Sequence, residues 1–118
     1  MSTSLPILDN HIHLQPTGRN VEAVRDFGSM GGTHAILSHL PYKEVLIAEA
    51  EDFRKSYEIT LSMAERCNAE TDVRVEATLA PYPVLLLSLS KRYGLKAGEE
   101  IMMSGMEIAQ QLVLEGRA

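Results

Sequence analysis

One cysteine, no tryptophan and two phenylalanines in 118 residues set the first limits on this chain. The single thiol, Cys67, excludes an intrachain disulfide and argues for a reducing setting, so the cytoplasm is the expected compartment. Basic residues are fewer than acidic ones, 11 against 16, and the net charge of −5 offers no general attraction to a nucleic-acid backbone. Long hydrophobic runs are missing as well. The longest, residues 84–87, falls far short of the roughly 20 residues a membrane-crossing helix needs. Residues 1–4 carry neither the positive region nor the apolar core of a secretory signal, so no membrane partner is expected. Two enzyme signatures are also absent: Gly31-Gly32 is too short and wrongly followed for a phosphate loop, and there is no Gly-x-Ser-x-Gly. Cys67 falls inside a helical pattern, which suits a small core residue better than a nucleophile.

What is present is one domain's worth of ordinary globular sequence, 45% apolar, spanning residues 1–118 without repeats or low-complexity segments. Its most informative stretch is Asp9-Asn10-His11-Ile12-His13, which follows the apolar run Leu5-Pro6-Ile7-Leu8. In a strand, side chains two residues apart project to one face, so His11 and His13 converge. Two convergent imidazoles form half of a metal site, with zinc the expected ion. The breaker cluster Gln15-Pro16-Thr17-Gly18 ends the strand directly afterwards. The pair therefore stands at a strand's carboxyl end, where parallel α/β sheets bind ligands.

Periodicity organises the rest. Asn20 caps a helix with Val21, Val24 and Phe27 at helical spacing, ended by Gly28, Gly31 and Gly32. A second strand is expected over residues 33–40, followed by Pro41 and a polar loop with Tyr42, Lys43 and Glu44 that would cover a site. Phe53, Tyr57, Leu61 and Ala64 line one face of a helix over residues 50–69. Val73, Val75, Ala77 and Leu79 alternate as a third strand, closed by Pro81-Tyr82-Pro83. Two helices follow, residues 84–93 stopped by Gly94 and residues 97–114. The second has Ile101, Ile108 and Leu112 on one face and Met102, Met106, Ala109 and Val113 on an adjacent one, a wide apolar sector, with Met102, Met103 and Met106 assigned to core filling. The alternating order predicts an α/β chain whose three strands are parallel.

Taken together, Pro6-Ile7-Leu8-Asp9-Asn10-His11-Ile12-His13-Leu14, Gly31-Gly32-Thr33-His34 and Pro81-Tyr82-Pro83 resemble the TatD-like metal-dependent hydrolases of the amidohydrolase superfamily, particularly uncharacterised archaeal-type members. The resemblance runs along most of the chain and rests mainly on the Asp-x-His-x-His element. It implies the first three β/α units of a (β/α)8 barrel, with His11 and His13 as metal ligands to one or two ions. Metal-activated water would attack a phosphodiester, amide or related bond, deoxyribonuclease activity included. In that family the remaining ligands come from later strands, and a complete barrel needs about 250 residues. The chain therefore reads as an N-terminal portion, inactive alone. Where many relatives carry His-Pro after the third strand, this sequence has Tyr82-Pro83, which leaves Tyr82 a loop contact only.

Other candidates are weighed by position. Asp9 is assigned to the opposite strand face, as a hydrogen-bonding support rather than a ligand. His39, at the end of the second strand, is a candidate substrate contact or ligand orienter; His34, at the other end, is structural. Arg19 has the planar fork for a phosphate or carboxylate, balanced against simple solvation at a helix start. Glu76 is expected to pair with a neighbouring polar group. A PHP-type phosphoesterase ranks lower, because the hydroxyl-rich continuation expected after His13 is missing. The alternative from another class is a noncatalytic α/β module that associates through exposed sheet edges or binds a partner.

Overall fold

A computed structural model describes residues 5–118; residues 1–4, read above for a leader, lie outside the described residues. In chain order the elements are β1 (Leu8–Ile12), α1 (Val21–Ser29), β2 (His34–Ser38), α2 (Ala50–Glu70), β3 (Arg74–Thr78), α3 (Leu85–Tyr93) and α4 (Leu95–Leu114). The protein is α/β, with one three-stranded parallel sheet of order β1-β2-β3. No helix among the described residues is long and apolar enough to cross a membrane. The chain divides into two compact units: residues up to Ser38 with Ile59–Thr78, and His39–Glu58 with Leu79–Ala118.

The first unit holds the sheet. Alternation works as expected in β2 and β3, where Ala35, Leu37, Val75 and Ala77 are buried. Val21 and Val24 of α1 and Leu61, Ala64 and Cys67 of α2 are buried as well. The α1 cap is the expected one, Asn20 Oδ1 accepting the Val21 N–H at 2.6 Å. The Asn20 amide also donates to the Gln15 carbonyl at 3.3 Å, and Gly18 N–H bonds the same carbonyl at 3.2 Å, so the loop after β1 is tied to the helix start. Thr33 secures the entry to β1, its Oγ1 accepting the Ile7 N–H at 2.8 Å while its own N–H donates to the Ile7 carbonyl at 2.9 Å.

The two sheet edges differ. On β3, the Asn68 side chain of α2 accepts the Val75 N–H and donates to the Val75 carbonyl, both at 2.8 Å, as a neighbouring strand would. Asn68→Ala removes both bonds and uncovers that edge. Its expected cost is about 1–2 kcal/mol in urea unfolding, with faster aggregation on heating. On β1, residues Leu8 to His11 are exposed, as is Ile7 before them.

The second unit is helical. α3 and α4 meet at Gly94, which ends one helix and begins the other with φ 91° and ψ 157°. These angles lie in a region entered essentially by glycine alone, rather than in the left-handed helical region. The apolar sector predicted for α4 is narrower than expected: Ala109 and Leu112 are buried as predicted, but not the whole sector. Gly98, Gly105, Ala109 and Leu112 form its buried line, whereas Met103 and Met106 are at least half exposed and Val113 nearly so. Small residues hold the contact because packing is close: a Cβ at Gly105 would lie 2.8 Å from the Phe53 ring. Core filling therefore does not describe Met103 or Met106.

Candidate metal site

Both imidazoles are exposed at the carboxyl end of β1 and they touch. His11 Nε2 and His13 Nε2 are 3.0 Å apart, with ring centroids separated by 4.7 Å and planes nearly perpendicular. Two nitrogens held by a tetrahedral zinc at ~2.0–2.1 Å lie about 3.3 Å from each other, so the observed spacing is close to the bite of one ion.

Ser38, the last residue of β2, sets the protons. Its carbonyl can only accept, so the 3.0 Å contact from His13 Nδ1 puts the hydrogen on Nδ1 and leaves Nε2 with a free lone pair. Its hydroxyl lies 3.4 Å from His11 Nδ1 and also receives the Thr78 hydroxyl at 3.4 Å. With Ser38 donating to His11 Nδ1, His11 Nε2–H points at His13 Nε2. Were an ion to take the place of that hydrogen, His11 would carry its proton on Nδ1, within reach of Ser38 Oγ as acceptor. One residue thereby contacts both rings, as a group behind a metal-bound histidine would. Sequence reasoning missed Ser38. No sequence signal marked it, because the second strand is expected to run to residue 40 and ends at Ser38 instead.

A pairing irregularity between Asp9 and Ile12 makes this arrangement. By strict alternation Asp9 would share a face with the two histidines. The register instead matches Asp9 to buried Ala35 and Ile12 to buried Leu37, so His13 comes beside Ser38 and Asp9 belongs to the other face. That bulge gives the opposite-face assignment of Asp9 its physical basis. Asp9 Oδ1 accepts the His11 backbone N–H at 3.2 Å, a support to the bulge.

Arg19 forms an exposed ion pair with Asp26 of α1. Glu76 pairs with Arg74 at 2.9 Å on the exposed side of β3, and His34 Nδ1 bonds the Thr33 hydroxyl at 2.7 Å. Cys67 is fully buried and burial pushes its thiol pKa up, opposite to what a nucleophile requires. In the second unit, Tyr82 is exposed beside Pro41, Val84, Leu85 and Leu87 along an open apolar groove. His39 follows β2 rather than ending it. Its ring packs against Tyr42 and Tyr57, with centroids 5.5 and 4.8 Å away, and Nε2 lies 3.3 Å from the buried Ser56 hydroxyl. Burial pushes the His39 pKa down to about 4. Tyr42, read as part of a loop over a site, is itself buried.

Comparison with family models, curated proteins and solved structures returned no match. The donor set must therefore be judged on its own chemistry. Two neutral imidazole nitrogens suit a borderline ion such as zinc. Among the described residues no group of three or more His, Cys, Asp or Glu gathers to hold a metal. The pair fits two positions of a coordination sphere.

Proposed function

We propose that the His11–His13 pair is the first-strand part of a metal-dependent hydrolase site of the TatD type, built on the opening β/α units of a (β/α)8 barrel. The observation that carries this reading is the 3.0 Å approach of two Nε2 atoms, one with its tautomer set by Ser38, at the carboxyl end of a parallel strand. That end is where barrel enzymes carry their chemistry. The three-stranded parallel order β1-β2-β3 is compatible with the first units of such a barrel. A bound zinc would supply an activated water and polarise a phosphodiester or amide oxygen. His11 and His13 would hold it, Ser38 would keep both rings turned toward it, and Asp9 would fix the backbone between them.

Two ligands fall short of the three that catalytic zinc ordinarily uses, so a single copy is expected to bind zinc weakly and to lack full activity. The same shortfall, with the exposed β1 edge, supports the second reading of a noncatalytic module that self-associates. Hydrolysis of bis(p-nitrophenyl) phosphate separates the two. Turnover above the rate of zinc in buffer, lost on chelation and in His13→Ala, supports the hydrolase. Zinc binding with no turnover supports the module, and turnover unaffected by the substitution contradicts the assignment of the site.

A further inference from the structure

We infer that His11 and His13 of two copies of this chain complete one tetrahedral zinc site, so that the ion joins the protein into a two-fold dimer across β1. The inference rests on the metal reading of the pair in its second form, the self-associating module, since four nitrogens leave zinc no position for an activated water, and it adds the source of the missing ligands. Each chain offers two Nε2 atoms, 3.0 Å apart and exposed, and no third His, Cys, Asp or Glu gathers with them among the described residues. A structural zinc is almost always four-coordinate. A two-fold axis through the ion supplies the other two nitrogens from an identical surface, the self-complementary contact that closed dimers use.

Three independent observations place the second copy at this edge. The β3 edge is occupied at Val75 by the Asn68 amide, which leaves β1 as the open side of the sheet. Toward the amino end of the same strand, Leu5, Ile7 and Leu8 are exposed at 81, 47 and 55%, apolar surface that a second copy paired along β1 would cover. Both rings are exposed and contact Ser38 through Nδ1, so the two pairs can meet at the ion with no change beyond the His11 tautomer. Each chain also carries a net charge of −5, which opposes metal-free association and leaves the dication as the link.

The test is light scattering on the size-separated full chain during titration with zinc chloride, with bound zinc measured in each fraction. The expected result is a doubling of the 13.0 kDa mass that saturates at one zinc per two chains and reverses with EDTA. His11→Ala and His13→Ala, both at exposed positions and checked for folding by circular dichroism, should remain monomeric and lose at least tenfold in zinc affinity. Cobalt substituted for zinc should give the intense visible bands of a tetrahedral site in the dimer only. One zinc per chain with unchanged mass overturns the shared site and leaves the metal reading standing. Absence of zinc binding removes both. A dimer that forms without metal, or zinc-induced association that survives both substitutions, also overturns the inference.

Discussion

Gly105→Leu is expected to lower the midpoint of thermal unfolding by about 12 °C, the equivalent of about 3 kcal/mol in a domain of this size. A Cβ at this position meets three atoms of the Phe53 ring at 2.8–2.9 Å, and Phe53 is itself buried, so its ring has little room to move. The Gly105 carbonyl also accepts the buried Tyr57 hydroxyl at 2.8 Å, and any retreat of α4 would stretch that bond. Overpacking of this kind costs about 1–3 kcal/mol and a strained buried hydrogen bond about 1 more. Replacing glycine in a helix returns up to about 1 kcal/mol. Gly105→Ala meets the same first clash with a smaller side chain and should fall between leucine and the parent. Met103→Leu, at 60% exposure on the same helix, should shift stability by less than about 0.5 kcal/mol. Equal midpoints for Gly105→Leu and Met103→Leu in a thermal scan would refute the close-contact account of α4.

Acid should weaken the protein before its carboxylates titrate, through His39. Its pKa is pushed down to about 4 in the folded state by burial, from an ordinary value of 6.5. The folded form therefore resists protonation that the unfolded chain accepts. The stability from a neutral His39 is complete above pH 6.5 and is lost progressively down to about pH 4. Between pH 7 and pH 4.5 the difference is about 2.5 kcal/mol, an upper figure because the ring is only partly shielded from solvent. Urea unfolding at the two pH values measures it. His39→Phe keeps a ring between Tyr42 and Tyr57 but cannot titrate, so its loss over this range should be much smaller. It should also be less stable at pH 7, because the buried Ser56 hydroxyl loses its partner. Parallel pH dependence in parent and variant would contradict the assignment. Below this window, Glu58, held down by its hydrogen bonds to Arg117, and Asp52, held down by the Ala48 N–H, add a further loss as they protonate.

Much of the fold was legible because its signals are local. Asn20 bonds the first amide of the helix it starts, and the Phe53-Tyr57-Leu61-Ala64 stripe is buried along its length. Val73, Val75 and Ala77 alternate inward as the period of two requires. What escaped depends on residues distant in sequence. The β1 bulge is fixed by its pairing with β2, so alternation alone could not give the correct relation of Asp9 to His13. Ser38 and Asn68 are unremarkable in sequence, and each gains its role from what another element brings beside it. Met103 and Met106 look like core residues by composition. The buried line of α4 passes through glycines instead, since only they admit Phe53 and α3 so closely. The approach of His11 to His13 was legible, since it needs only residues two apart on one strand.

The central claim, that His11 and His13 are set in advance to share one ion, is tested most directly by imidazole nitrogen NMR on the full chain, with and without zinc. Without metal, His13 should carry its proton on Nδ1, the tautomer that its contact with the Ser38 carbonyl demands and the less common one for a free histidine. With zinc, the Nε2 signals of His11 and His13 should move together while those of His34 and His39 stay in place. An Nε2-protonated His13, or zinc that shifts neither Nε2 of the pair, would contradict the account.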